Sequence, residues 1–336
     1  MMMVVVASAA ARCDAPPVQV ETGLKYQVDP QNGRAFLASR RERANAVIAR
    51  AKEWLSRIDV DPVDLRRRGF KGKKHFVEAL DTYAWQLRFA DVRERPHVLA
   101  RAQPLVNHAS RPEYHDMTGN PEEAFRQDAT SYLRAAYLLE KLGVDTTAYR
   151  AEMHKVLPRL NAHLGSRGVH QRMAFRWYYR HFGWPYPASM EAKDTEGVIA
   201  TRRSPYEMKV GDVYDLTHEI FVPFDFGHQP QLNPFFDEDR AYLLRALVPV
   251  TAVQISKRNS DTTAELVTCL ALLRLTHLPV FEDAVDFLLS AQNADGSFGD
   301  YSRYEDSDGA ATPVTRYLHN VVVVLDALLF AFQAPP

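Results

Sequence analysis

Three observations in the sequence predict an all-α fold. Apolar residues recur at helical spacing along most of the chain, strand-like alternation is scarce, and no strand–helix–strand unit is recognisable. The first two predicted helices cover 35–58 and 74–90, and a third, over 122–142, stops before Gly143, as helices often do. Further helices are predicted over 146–164, 169–182, 213–221, 237–255, 261–275, 280–292 and 313–332. Together they make about five or six helix pairs.

The 336 residues exceed the length of an average domain, so either two domains or one large closed domain is possible. No change in composition marks a linker, and we predict one domain over 31–336, preceded by a disordered or loosely attached extension over 1–30. Residues 183–211 form a long loop that contains Pro185, Pro187 and Pro205. Loops of this length inside a domain are often functional, so we expect it to act as a lid.

Charge and cysteine content limit the possible partners and compartments. The formal net charge is −1, which argues against nucleic acid or an anionic membrane as a partner. The two cysteines, Cys13 and Cys269, cannot form a disulfide framework, and we expect a reducing cytoplasm. The apolar stretch 321–332 contains Asp326 and is shorter than the ~20 residues of a membrane span. The sequence says nothing about oligomeric state.

Three segments in the C-terminal half carry the candidate chemistry: 214–221, 260–269 and 317–320. Each lies near the start of a predicted helix, and one further amphipathic stretch separates each from the next. If the helices alternate between an inner and an outer ring, His218, Asp261 and His319 lie on consecutive inner helices at one rim. Two imidazoles and one carboxylate converging there predict a divalent metal site.

The same ligand set is compatible with two metals and two chemistries. A tetrahedral site with one open position suits zinc, our first choice, and predicts Lewis-acid or metal-activated water chemistry. A facial arrangement of two histidines and one carboxylate suits non-haem Fe(II) and oxidation, our second choice. In either case we expect a small or peptide-like substrate in the central cavity.

Neighbouring carboxylates supply candidate catalytic groups. Glu265 follows Asp261 by one helical turn on the same face and is the candidate general base. Asp215 precedes His218 by three residues and is expected to orient its imidazole. Cys269, a further turn along that face, is expected to be a small buried side chain.

Several alternatives stay open at this point. Asp261 is also suited to capping the N-terminus of its helix, and His218 to a core position bonded to Asp215 without metal. Asp215 and Glu265 could instead serve a metal-free lyase or glycosidase. A non-catalytic helical scaffold is the remaining alternative.

The segment Ser290-Ala-Gln-Asn-Ala-Asp-Gly-Ser-Phe-Gly-Asp300 resembles a turn motif that recurs in squalene–hopene cyclases and protein prenyltransferase β subunits. The likeness covers 280–332 and implies an (α/α) toroid or barrel of about five to six helix pairs. Gln292 would end an outer helix, Asp295 and Gly296 would form a turn with positive φ, and Phe298 would pack back against the helices.

The prenyltransferase resemblance also implies a zinc site, held by Asp and Cys from one inner helix and His from the next. Asp261 and His319 correspond to that Asp and that His. The residue two positions after Asp261 is Thr263 instead of Cys, so the zinc triad is not reproduced and His218 would have to replace the thiolate.

The C-terminal half is also similar to an uncharacterised group of actinobacterial toroid-like proteins, at Leu216-Thr217-His218, Asp225-Phe226-Gly227 and Asp261 with Ala264-Glu265-Leu266. That resemblance implies no activity. The aspartate-rich motifs of terpene ionisation and polyene protonation are absent from the sequence, as are nucleotide-binding, serine-hydrolase and His-Glu-x-x-His motifs.

Overall fold

The computed structural model describes residues 30–58, 60, 61, 63, 72–191, 196–299 and 315–333. In these residues every regular element is a helix, and the only β pairing is an isolated bridge between Gln292 and Phe298. The all-α prediction is therefore confirmed. The predicted extension over 1–30 lies outside the described residues, apart from Pro30.

Thirteen α-helices are present in the described ranges, together with short 3-10 turns at Pro112–Tyr114 and Val222–Phe224. In chain order they are α1 (Pro30–Ser56), α2 (Gly72–Phe89), α3 (Arg95–Ala109), α4 (Glu122–Lys141), α5 (Thr147–Lys155), α6 (Leu157–Leu164), α7 (Val169–Phe182), α8 (Ala188–Glu191), α9 (Val210–Phe221), α10 (Asp237–Ser256), α11 (Ser260–Leu272), α12 (Pro279–Ser290) and α13 (Thr315–Gln333).

Six helices make a series of contacts that closes on itself. Helix α2 contacts α4, α4 contacts α7, α7 contacts α9, α9 contacts α11, α11 contacts α13, and α13 contacts α2. The remaining longer helices pack on members of this closed series: α1 and α12 on α13 and α11 respectively, α3 on α2, α5 and α6 on α4, and α10 on α11. Side chains from several helices of the closed series can therefore converge on one cavity.

Prolines account for two of the places where the helix prediction fails; a third is the four-residue helix α8 inside the predicted loop. The predicted helix over 146–164 is two helices, α5 and α6, because Pro158 stands in the first turn of α6, where its ring and missing N–H are tolerated. The periodicity does not predict α3, in which Pro104 interrupts a weakly apolar stretch. Its buried face nevertheless has helical spacing: Val98, Ala102, Leu105 and Ala109.

The turn after α12 has the conformation expected from its sequence motif. Gly296 has φ +96°, and Phe298 is fully buried. A Cβ on Gly296 would lie 2.6 Å from the Arg50 carbonyl oxygen, so only glycine fits against α1 here. Gln292 fastens the same turn to α1, since its Nε2 donates to the Val47 carbonyl at 2.9 Å and its Oε1 accepts from Arg50 at 2.7 Å.

The loop over 183–211 is fastened to the helices along part of its length. The buried Glu219 carboxylate on α9 accepts the backbone N–H groups of Val198 and Ile199, each at 2.9 Å. Arg203 pairs with Asp212, and its carbonyl accepts from the Tyr242 hydroxyl at 2.8 Å. Residues 198, 199 and 203 are thus bound to neighbouring helices, which does not support a moving lid in this part of the loop. For the rest of the loop, the lid stays a prediction.

Among the helices in the described ranges, none combines the length and the apolar character that crossing a membrane requires.

Candidate active site

A cavity of about 120 Å³ lies among the helices of the closed series. Helices α2, α4, α9, α11 and α13 all contribute to its wall, together with Phe226 from the turn after α9. The lining is part charged and part aromatic or aliphatic: Lys74, Glu78, Asp81, Trp85, Arg134, Tyr214, His218, Phe221, Phe226, Glu265, Thr268, His319, Val322, Val323 and Asp326.

Asp261, Glu265 and His319 form the one group of potential metal ligands found in the described residues, with one potential ligand atom from each lying within 4.8 Å of the others. We call it the metal-ligand group. Asp261 is available because the helix is capped by Asn259, whose side chain accepts the Thr262 N–H. The capping alternative for Asp261 is therefore wrong. Two of the three predicted ligands meet, and Glu265, predicted as a base, takes the third place in the group.

His319 lies between two carboxylates. Its Nδ1 is 3.0 Å from Oε1 of Glu78, and its Nε2 is 3.2 Å from Oδ1 of Asp261. Although burial disfavours the imidazolium, the Glu78 and Asp261 carboxylates raise the pKa of His319 well above its usual value. Burial likewise opposes ionisation of Glu78, but His319 and Lys74 hold the pKa of that carboxyl well below its ordinary range. The charges of Glu78 and Asp261 thus favour the imidazolium form of His319.

The pKa of Glu265 is shifted in the opposite direction from that of Glu78. Burial first, and then the negative charge of Asp261, raise the pKa of Glu265 to about 8. The Thr217 hydroxyl donates to Oε2 of Glu265 at 2.6 Å, which favours the carboxylate but does not offset the burial. Two carboxyl groups converging inside the protein are costly when both are ionised, so this corner of the cavity favours an added cation.

His218 lines the cavity but does not belong to the metal-ligand group. Its Nδ1 lies 2.9 Å from the Tyr214 carbonyl oxygen and 4.0 Å from Oε2 of Glu265. Burial, and then the neighbouring His170, lower the pKa of His218 well below its usual value. A neutral imidazole that donates from Nδ1 keeps a lone pair on Nε2, which suits a base.

Asp215 does not orient His218 as predicted. Its Oδ1 lies 2.9 Å from Nδ1 of His170 on α7, and Asp215 is not among the residues that line the cavity. Three residues along a helix leave the two side chains about 60° apart, so Asp215 contacts α7 while His218 lines the cavity. The metal-free pair of Asp215 and Glu265 therefore does not face one cavity. Cys269 is fully buried, with Sγ 3.8 Å from the Thr217 carbonyl oxygen, as expected for a small core side chain.

Glu78 belongs to the site although no sequence motif singles it out. It stands between Val77 and Ala79 on the apolar face of α2 and is 6% exposed. A carboxylate in an apolar helical stripe must find a partner, so its position was a usable signal. Asp81 and Asp326 carry the same signal, and both also line the cavity.

The donor set fits a divalent cation. The Glu78 carboxylate pairs with Nδ1 of His319 while Nε2 faces Asp261. A carboxylate outside the ligand set commonly orients a metal-binding histidine in this way. Ligand atoms at about 2.0–2.2 Å from zinc lie roughly 3 Å apart, close to the 3.2 Å between Nε2 and Oδ1. One imidazole and two carboxylates suit zinc, Fe(II) or manganese.

A family profile described as a domain of unknown function (DUF6895) matches residues 43–321. Comparison with curated proteins gave no match, and comparison with solved structures gave none either.

Proposed function

Because the chain belongs to the DUF6895 family, a domain of unknown function, we propose a function from its own site: a metal-dependent enzyme acting on a small molecule in the cavity. The observation that carries this proposal is the convergence of Asp261, Glu265 and His319 within 4.8 Å. The ion would replace the proton that the carboxylates favour on His319.

Zinc is the first choice of ion and Fe(II) the second. His218 lies outside the ligand group, so the expected pair of histidines with one carboxylate is not assembled, which weakens the oxidative alternative. A bound zinc would polarise a carbonyl or lower the pKa of a water molecule. We therefore favour hydrolytic or Lewis-acid chemistry.

Each residue of the site has a separate role in this proposal. Asp261, Glu265 and His319 hold the ion, and Glu78 orients His319 through Nδ1. His218 is the base, because its Nδ1 is directed at the Tyr214 carbonyl and its Nε2 keeps the lone pair. Aromatic and aliphatic side chains from the remaining wall exclude water: Trp85, Phe221, Phe226, Val322 and Val323.

We also infer that the fold is an (α/α) toroid. Support comes from the closed series of six helices, the outer helices packed on it, and the cavity lined by five members of the series. The turn over 292–299, whose conformation matches the one implied by the cyclase and prenyltransferase resemblance, agrees with this arrangement.

The test is metal content measured on protein purified without an affinity tag that chelates metals. Elemental analysis of the wild type should give near-stoichiometric zinc, iron or manganese. The nearly isosteric variants Asp261→Asn and Glu265→Gln should lose the metal, as should His319→Asn. His218→Gln serves as the matched control, because it changes a histidine of the same cavity outside the ligand group, and it should keep the metal.

Circular dichroism on each variant separates loss of the ligand from loss of the fold. A folded wild type that contains no metal, and binds none when titrated with zinc, Fe(II) or manganese, overturns the proposal. A His218→Gln variant that loses the metal while Asp261→Asn keeps it would place the ion elsewhere in the cavity.

A metal-free acid–base enzyme is the second candidate. It is favoured by one observation: Glu265, with a pKa of about 8, and the neutral His218 lie on the same cavity wall, with Nδ1 and Oε2 4.0 Å apart. Environments that separate the pKa values of two neighbouring groups suit an acid and a base. A folded, metal-free wild type would favour this candidate.

A further inference from the structure

The cavity has two polar ends. The metal-ligand group is at one of them, beside His319 on α13. Asp326 follows His319 by seven residues on the same helix, which is two helical turns or about 10 Å. Val322 and Val323 line the cavity between them. A molecule that fills the cavity therefore meets the ligand group at one end and a second polar group at the other.

That second group, which we call the Asp326 end, consists of Asp81, Arg134 and Asp326. The guanidinium of Arg134 pairs with Oδ2 of Asp81, and Nε2 of His228 lies 3.2 Å from the other oxygen of Asp81. Asp81 thus already has two partners. Its own charge is therefore partly offset before any ligand enters.

One carboxyl oxygen of Asp326 lacks a hydrogen-bond donor among the described residues. Thr82 hydrogen-bonds its carboxyl group, but Oδ1 is buried and has no hydrogen-bond partner in the part of the chain that the structure describes. A buried oxygen without a donor costs free energy, because it has lost water and gained nothing in exchange. The Asp326 end therefore lacks a hydrogen-bond donor.

The surrounding charges select a cationic donor over an anion. An anion entering here would find the guanidinium of Arg134 already engaged with Asp81, and its charge would oppose ionisation of Asp326. Burial, and then the charge of Asp81, raise the pKa of Asp326 well above its ordinary value. A cation arriving beside Asp326 would stabilise the carboxylate and release that proton.

We propose that the Asp326 end binds the protonated amino group of the substrate, in contact with Oδ1 of Asp326, while the reacting group of the same substrate lies beside Asp261, Glu265 and His319. The substrate class is thus a small aliphatic amine whose reactive carbonyl or similar group is separated from the nitrogen by roughly the axial spacing of His319 and Asp326, about 10 Å. The position of the reacting group rests on the proposed function, whereas the amine site rests on the Asp326 end alone.

The experiment uses aminoalkyl hydroxamic acids as probes, with the chelating hydroxamate at one end and the ammonium at the other. Alkyl hydroxamic acids of equal length, ending in a methyl group, are the reference. Calorimetry on the metal-loaded full chain should show the amino compounds binding at least about tenfold more tightly at the best chain length. Asp326→Asn should abolish that difference, whereas Thr268→Ala, which changes another cavity-lining residue, should leave it unchanged.

Two measurements keep the amine site testable in every case. Calorimetry of the wild type in buffers of different ionisation enthalpy should show an additional proton released on binding the amino compounds compared with the methyl compounds, because the hydroxamate loses its own proton to the metal in both series. This measurement needs no variant. If the protein holds no metal and no hydroxamate binds, simple alkylamines replace them, and stabilisation of the wild type but not of Asp326→Asn still supports the amine site. Equal binding of amino and methyl compounds, with equal proton release, overturns the inference and leaves the metal proposal intact.

Discussion

Nδ1 of His319 lies 3.0 Å from Oε1 of Glu78, and this contact joins the last helix of the closed series to the first. The same contact directs Nε2 of His319 towards Asp261. The helix that closes the series therefore also completes the candidate metal site. Substitutions that loosen the packing of α2 against α13 would therefore disturb the site even when its ligands are unchanged.

Added metal should stabilise the protein. A ligand that binds only the folded state at 100 times its Kd adds about 2.7 kcal/mol to the free energy of unfolding. We expect this gain for the stripped wild type with zinc, and little or none for Asp261→Asn, which loses one charged ligand. Urea unfolding with and without zinc measures both. An equal gain in the two proteins would show that zinc binds elsewhere.

The imidazole of His218 should be neutral and carry its proton on Nδ1. That nitrogen lies 2.9 Å from the Tyr214 carbonyl oxygen, and burial lowers the pKa of the ring well below its usual value. Nitrogen NMR of metal-stripped protein with labelled histidine at about pH 6 reports the tautomer directly, and His218→Gln identifies the signal. An imidazolium signal, or a proton on Nε2, would exclude His218 as the proposed base.

Ionisation of the buried Tyr83 hydroxyl should lower the free energy of unfolding at alkaline pH. Burial raises the pKa of Tyr83 to about 12, and its side chain is 4% exposed. An acid whose pKa is raised in the folded state favours folding fully below its unfolded pKa of about 10, and that contribution of up to about 2–3 kcal/mol is lost as the pH rises towards 12. Tyr83→Phe lacks this loss. The difference in unfolding free energy between the two proteins should stay constant to about pH 10 and then change in favour of the variant.

Glu219→Gln should loosen the segment over 197–199. The two carboxylate oxygens accept two backbone N–H groups, and a glutamine amide would turn a donor towards one of them. We expect a loss of about 1–3 kcal/mol and faster proteolysis between 196 and 203. Glu207→Gln, on an exposed residue of the same loop, is the control. Equal proteolysis rates in both variants would contradict this role of Glu219.

Gly296→Ala should destabilise the protein by more than about 1 kcal/mol. The residue has φ +96°, and an added Cβ would lie 2.6 Å from the backbone oxygen of Arg50, which belongs to a helix and cannot move freely. Gly119→Ala is the matched control, because nothing lies within 4 Å of its Cβ position. Denaturant unfolding compares the two, and similar stabilities would show that the turn relaxes away from α1.

The helices and the turn after α12 could be predicted because they depend on local chemistry. Apolar spacing of three and four residues, a glycine after a helix and the conformational freedom of Gly296 are all visible in the sequence. Where the local signal is weak, as in α3 with Pro104, the helix forms because tertiary packing buries Val98 and Leu105.

The sequence by itself determined the helical class and brought Asp261, Glu265 and His319 into consideration, since each is a polar group near the start of an apolar helix. Only the tertiary structure decided which of them meet. Rotation about each helix axis directs Asp215 to His170 and His218 to the Tyr214 carbonyl, while Glu78, distant in sequence, reaches His319. One residue of helical rotation turns a side chain by about 100°, and the spacing of residues along one helix contains no information about which face of a distant helix it will meet.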